Sequence, residues 1–293
     1  MTAPALYGFL FLTGALWGLT IPVTKVSVST GYQPLGLIFW QLAISVLLLG
    51  AMTAMRRKPV ILPRRTLRLL AFIGLIGTII PNSFSYAAAA QLPAGVMAIV
   101  IALVPMFALP IAAIIGLEPL KARRVLGVGL GALAVVLIVA PSTSLPDPSA
   151  VIFVFAAMVA PFCYGIEGNY VAARGTMGLD PMQLLLGASA VALVLVAPIA
   201  VLSGQFINPV ISWTAPEWAI VLNGCLHAGA YALYLWMVGK AGSVFASQVS
   251  YLVTATGVLW SITLLSESYS AWVWAALALM LVGLALVQPR KAR

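Results

Sequence analysis

Residues 121–140 read KARRVLGVGLGALAVVLIVA, three cations followed by an apolar run without a single charge. From Leu130 to Ala140 every side of the run is apolar, which is not the in-out alternation of a lipid-facing β-strand. A helix, whose backbone hydrogen-bonds to itself, is the form such a stretch takes in lipid. The cations at its start mark that end as the cytoplasmic one, because loops left on the cytoplasmic face collect Lys and Arg.

Outward from this stretch the pattern repeats along the chain. A bilayer core of about 30 Å needs roughly 20 apolar residues as helix, and ten runs of that order stand between polar breaks. They are Ala5–Val28, Pro34–Met55, Thr66–Ala89, Pro93–Leu117, Arg123–Ala140, Ser149–Ala173, Pro181–Leu202, Glu217–Gly239, Ser243–Leu265 and Ser270–Gln288. The expected fold is therefore an all-α integral membrane protein of ten transmembrane helices. Of the 293 residues 63% are hydrophobic and 7% charged, too apolar for a soluble domain. The net charge of +9 would suggest nucleic acid in a soluble protein, but here the cations sit in short loops, so no nucleic-acid partner is expected. Arg56, Arg57, Lys58, Arg64, Arg65 and Arg68 occupy the second connection, Lys121, Arg123 and Arg124 the fourth, Arg174 the sixth, Lys240 the eighth, and Arg290, Lys291 and Arg293 the tail. Odd-numbered connections hold no Lys or Arg and are flanked by Asp147, Glu217 and Glu267. A multi-pass protein of the inner membrane with both termini in the cytoplasm follows. The first run has no Lys or Arg before it and no small-residue cleavage site after it, and reads as a retained helix. Cys163 and Cys225 lie in apolar runs, so neither a disulfide framework nor a metal site is expected, and no cofactor.

The chain also matches itself. Trp17 and Tyr164, Gly18 and Gly165, Gly31 and Gly178, Pro34 and Pro181, Ala94 and Ala241, Gly95 and Gly242 are all 147 apart, and Glu118 and Glu267 are 149 apart. Two repeats, 1–143 and 144–293, each with five spans, must have opposite orientation because five is odd. Inverted repeats are a common plan of secondary transporters, with the solute site near the midplane. Trp17-Gly18, Ala94-Gly95 at the start of the fourth span, Pro105 within it, Glu118 at its end, and Gly127 and Gly131 in the fifth resemble the EamA-type repeat of the drug/metabolite transporter superfamily. Tyr164-Gly165, Ala241-Gly242, Glu267 and Gly283 resemble its second copy. The resemblance implies a ten-helix carrier with a central cavity, often an exporter of amino acids or other metabolites. Leu252 stands where the second copy should repeat Pro105, so no proline kink is expected in the ninth span.

Polar side chains three or four apart share one helical face, and inside a membrane such a face marks packing or a solvated path. Thr13, Trp17, Thr20 and Thr24 do so in the first span, Thr78, Asn82 and Tyr86 in the third, and Asn223, His227, Tyr231 and Tyr234 in the eighth. Gln248, Tyr251 and Thr254 form a shorter stripe in the ninth, and Tyr164, Glu167 and Tyr170 share a side of the sixth, with Asn169 near its edge. Hydroxyls of Ser and Thr mostly bond to their own helix. The expected solute-binding set is Trp17, Asn82, Tyr86, Tyr164, Glu167, Asn223, His227, Tyr231, Tyr234, Gln248 and Tyr251. Glu167 is the one acidic residue far from a span end, and Lys25 or His227 would be its charge partner, unless it takes a proton or the solute's cationic group. Pro22, Pro81, Pro105, Pro110, Pro161 and Pro198 fall within spans and can bend them. Gly127, Gly131 and Gly283 read as close-packing contacts.

A small solute moved by alternating access fits this pattern, driven by a gradient of the solute, a proton or another ion, or by none if the carrier is a facilitative uniporter, and a monomer suffices. Amino acids, large and aromatic ones included, suit the lining, and nucleobases or amphiphilic drugs suit it nearly as well. No phosphate-binding loop offers ATP coupling, and a single histidine leaves no H-E-x-x-H metalloprotease sequence and no recognisable intramembrane serine protease.

Overall fold

A computed structural model of the chain describes residues 3–56, 63–141, 144–145, 147–210, 212–241 and 243–287. Arg57, Lys58, Gly242, Gln288 and the tail cations Arg290, Lys291 and Arg293 lie outside the described residues. All regular structure described is helical and forms ten spans. The first, second, fifth, seventh, eighth and tenth are single helices, Ala3–Ser27, Pro34–Met55, Ala122–Val139, Pro181–Leu202, Ala215–Ala241 and Ala271–Val287. The sixth is Val151–Arg174 after a 3-10 turn at Pro148–Ala150. Eight of the spans are long and apolar enough to cross a membrane by themselves; the ninth-span helix Val249–Leu265 and the tenth are apolar but 17 residues each.

Local chemistry sets the ends. At the start of the seventh span Asp180 Oδ1 accepts from the amides of Met182 (2.9 Å) and Gln183 (3.0 Å). Gln183 returns the bond to the Asp180 amide, and Pro181 fills the first turn, where its missing N–H costs nothing.

Three spans are interrupted. The third runs Arg64–Thr66, Leu67–Gly74, a π turn Leu75–Ile79 and Ile80–Gln91. Pro81 has no N–H to give the carbonyl four residues back, that of Gly77, and a widened turn accommodates the loss. The fourth is split into Ala94–Ile101 and Val104–Ile114 at Ala102–Leu103, just ahead of Pro105 and about two turns before Pro110. The ninth, where Leu252 replaces the proline and no proline kink is expected, is nevertheless split, into Ser243–Ala246 and Val249–Leu265. Tightened three-residue bonds such as Gln248 N to Phe245 O (3.1 Å) and Tyr251 N to Gln248 O (3.2 Å) replace the helical ladder there.

Packing follows a pseudo-two-fold rule. The first span lies against the eighth and ninth, and the sixth against the third and fourth; the second meets the seventh, the fifth meets the tenth, and the fourth meets the ninth. Adding five to each span number, counted around ten, turns this set into itself, as an inverted duplication requires. Every one of these contacts joins one repeat to the other. The two repeats therefore interleave. Glycines make the closest of these contacts. A Cβ on Gly127 would stand 2.7 Å from the Gly283 carbonyl, and one on Gly283 would stand 2.8 Å from that of Gly127, so the fifth and tenth spans touch backbone to backbone.

Candidate functional site

The interleaved spans leave a cavity of about 890 Å³ along the axis of the bundle. Both helix breaks border it, through Ala102, Val104 and Pro105 on the fourth span and Ser247, Val249 and Ser250 on the ninth. Irregular backbone inside a membrane protein is tolerated where it lines such a space.

One wall is aromatic. The Trp17 ring meets His227 (6.0 Å between centroids), Tyr231 (6.0 Å) and Tyr234 (5.9 Å) edge to face. The spacing of the eighth-span stripe is what allows this, since residues 227, 231 and 234 come round to the same side as the first span passes. Aromatic edges and faces attract in such T-shaped pairs, so the cluster presents a firm, apolar but polarisable surface.

The opposite wall is amide and phenol. Gln41 Oε1 accepts from Asn82 Nδ2 (2.9 Å) and from the Tyr86 hydroxyl (2.6 Å), and the Tyr164 hydroxyl donates to Asn82 Oδ1 (3.3 Å). Asn223 Nδ2 donates to Thr24 Oγ1 (3.0 Å), linking the eighth span to the first. Asn169 Nδ2 donates to the carbonyls of Ala108 (2.9 Å) and Gly165 (2.8 Å), linking the sixth to the fourth. Thr13 and Thr20 bond to their own helix, at the Phe9 and Trp17 carbonyls.

Glu167 projects from the sixth span against the π turn of the third. A Cβ on Gly77 would lie 2.6 Å from its carboxylate atoms, so the widened turn and the missing side chain together make its berth. Among the described residues it has no hydrogen-bond or ion-pair partner. Lys25 does not supply one. Its ammonium donates to the carbonyls of Ala89 (2.7 Å), Ala90 (3.2 Å) and Leu92 (2.8 Å), closing the carbonyl end of the third span where no further turn can.

Of the residues expected at the site, Trp17, Lys25, Asn82, Tyr86, Tyr164, Glu167, Asn223, His227, Tyr231 and Tyr234 line this one cavity. Gln248 and Tyr251 do not. The break at Ser247–Gln248 rephases the ninth span, so that Ser247, Ser250 and Thr254 face inward while Tyr251 packs on the main hydrophobic cluster. Gln41 is the member the sequence reading passed over. It is the lone amide of its span, and its same-face neighbour four residues on, Ser45, is a hydroxyl of the kind that mostly bonds to its own helix and so carries little weight as a stripe. Glu118 and Arg124 also line the cavity, at the end bearing the basic connections, and form an ion pair.

The other end is tied shut. Glu267 Oε1 accepts from the Ala94 amide (2.8 Å) and Oε2 from the Gly95 amide (3.2 Å), while the Tyr269 hydroxyl donates to Glu267 and accepts from Gly95 N (3.0 Å). Glu217 accepts from the Tyr32 hydroxyl and from Thr214 N (2.6 Å) and Oγ1 (2.7 Å). Bonding to that carboxylate pushes the Tyr32 phenol up to about 12, so it remains a donor throughout the physiological range. Gln205 Oε1 accepts from Leu35 N (3.0 Å), and the Trp40 indole donates to the Ile207 carbonyl (3.0 Å). Among the described residues no three His, Cys, Asp or Glu stand together as metal ligands.

An inverted, interleaved ten-span bundle around a polar-lined cavity is the build of a membrane transporter. The EamA-like transporter family matches residues 5–140 and again 151–288, and the chain belongs to that family. It is 25% identical over 295 residues to proteins described as "Uncharacterized inner membrane transporter YedA" in Escherichia coli strain K12, strain O6:H1 and O157:H7, covering 96% of this chain and 90% of each relative. A crystal structure described only as that of a protein shares the fold, with a TM-score of 0.66 and 21% identity over 97% of this chain and 96% of that one.

Proposed function

We propose that this transporter exports amino acids, large apolar and aromatic ones included, across the inner membrane by alternating access. The observation that carries the reading is one cavity with three kinds of wall: the Trp17 ring cluster, the Gln41–Asn82–Tyr86 bond network and the unpaired carboxylate of Glu167. Each suits one part of an amino acid. The rings take an apolar or flat side chain, the amides and phenols take the carboxylate and carbonyl side, and Glu167 takes the ammonium or, in its absence, a proton. Asn223, His227, Tyr231, Tyr234 and Tyr164 complete the contact set. The membrane is that named for the YedA relatives. Both termini are assigned to the cytoplasm on the loop cations, which makes the Glu118–Arg124 end the cytoplasmic mouth. The repeating units are taken as 1–143 and 144–293.

A broad-range exporter of drugs or nucleobases is the second reading. It is favoured by the 890 Å³ volume, larger than one amino acid needs, and by aromatic walls that accept any flat group. Counterflow of a metabolite panel in proteoliposomes, with and without a proton gradient, tests both. Amino-acid exchange supports the first and exchange of dyes or nucleobases alone the second; no flux of any of them overturns the carrier mechanism. Trp17→Ala and Tyr231→Ala are each expected to cut flux by roughly tenfold, a loss of about 1.4 kcal/mol of binding, at unchanged expression. Unchanged flux would move the binding site elsewhere.

A further inference from the structure

The two repeat-related glutamates at the span ends do different things in this structure. Glu267, in the second repeat, reaches 172 and 173 residues back to bond the Gly95 and Ala94 amides of the first. Glu118, its counterpart in the first repeat, bonds six residues along its own repeat, to Arg124. The cross-repeat bond lies where the cavity ends, beside Ala94. The within-repeat pair lies where the cavity continues to the mouth, and the Glu118 side chain there is 42% exposed. The amide pair that would complete the symmetry is present in the sequence, since Ala241 and Gly242 repeat Ala94 and Gly95.

We propose that Glu118 and Glu267 are alternating latches of the transport cycle, each crossing to the other repeat only when its own end is closed, with Arg124 holding Glu118 while its end is open. The inference rests on the alternating-access reading above. Opening the far end requires Glu267 to let go of Ala94 and Gly95. Closing the mouth requires Glu118 to leave Arg124 and cross to the other repeat at Ala241, the counterpart of Ala94. Glu118 trades Arg124 for the other repeat, and Glu267, once released, keeps the bond from the Tyr269 hydroxyl, so the exchange leaves neither glutamate without a partner, which a reversible cycle needs.

The two latches are unequal. Tyr269 reinforces the Glu267 latch with a second bond to Gly95, and it fits only because residue 95 has no side chain; a Cβ there would overlap the phenol. The position matching Tyr269 in the first repeat is Leu120, which has no hydroxyl to offer. The far end should therefore be the more firmly held, in keeping with a cavity that is lined by Glu118 and Arg124 but not by Glu267 or Tyr269.

The test is side-specific labelling of full-length protein in sealed vesicles with a membrane-impermeant maleimide, in a background where Cys163 and Cys225 are replaced by Ser. Ala89→Cys reports access from the far end and Ser250→Cys access from the mouth. Labelling of both reporters, each from its own side, is the signature of alternating access. If one of them is never reached, that reading fails and the latches with it. Given both, Glu267→Gln and the milder Tyr269→Phe are expected to raise Ala89→Cys labelling, by about fivefold for the former, and to lower that of Ser250→Cys. Glu118→Gln is expected to do the reverse. Labelling unchanged in Glu267→Gln and Tyr269→Phe, or shifted the same way by both glutamate variants, overturns the latch while leaving the carrier mechanism intact.

Discussion

Among the described residues Gln41 is the acceptor for both the Asn82 amide and the Tyr86 hydroxyl, so its removal leaves those two donors without their protein partner. Gln41→Leu is expected to cost about 1–3 kcal/mol, the price of leaving buried polar groups unmade, read as a drop in the thermal midpoint of detergent-purified protein. Ser45→Ala, one turn along the same face, serves as the reference and should shift it less. Lys25 and Glu167 separate two kinds of intramembrane charge. Lys25 is fully engaged by three carbonyls, and Lys25→Met is expected to lower stability while leaving the proton dependence of flux in place. Glu167→Gln is expected to do the opposite: near-normal stability, with flux no longer responding to a pH gradient. Equal proton dependence in Glu167→Gln and the parent protein would remove Glu167 from coupling. The sequence exposes both charges as exceptions in apolar runs. It does not say which is tied up, because the ties of Lys25 are to backbone carbonyls 64 to 67 residues away, and any residue type supplies those.

At the level of elements, the approximate length of each span was readable because hydropathy is a property of composition. The interruptions were only half readable. Pro81 and Pro105 announce the π turn and the fourth-span break, but the ninth span breaks at Ser247–Gln248 with no proline, where its Leu252 packs beside Gly14. That contact belongs to a second close approach, in which Gly14 and Gly18 present a small-residue face to Leu252 and Thr256 of the ninth span. Their four-residue spacing is a known signature of helices in backbone contact. The Gly127–Gly283 contact allows a direct check. Gly127→Leu is expected to destabilise the protein by about 1–3 kcal/mol through overpacking, whereas Gly129→Leu, on a face with open space, should leave the thermal midpoint nearly unchanged.

For the molecule as a whole, duplication was legible as a constant offset, and the stripes on the first, third and eighth spans located most of the cavity. The interleaving was not legible, since two repeats of the same sequence could equally lie side by side. Because the principal span contacts cross between repeats, neither 1–143 nor 144–293 is expected to form a monodisperse particle alone, and the two co-expressed pieces are expected to co-purify. Separate, stable halves that do not associate would contradict the interleaved arrangement.

Several polar bonds inside the spans follow a different pattern from the packing, although the Trp40 indole of the first repeat reaches Ile207 of the second. Gln41, Asn82, Tyr86 and Lys25 find partners within the first repeat, whereas Asn169, Asn223, Trp260 and Glu267 of the second reach back to Ala108, Thr24, Ala15, Ala94 and Gly95 of the first. A ribosome delivers the chain in that order. The early half can wait in lipid with its own amides and ammonium already paired, and Asn169 and Asn223 of the late half arrive to acceptors that are in place, so among the described residues it is the Glu167 carboxylate, not the buried amides, that assembly in the bilayer leaves to the cavity.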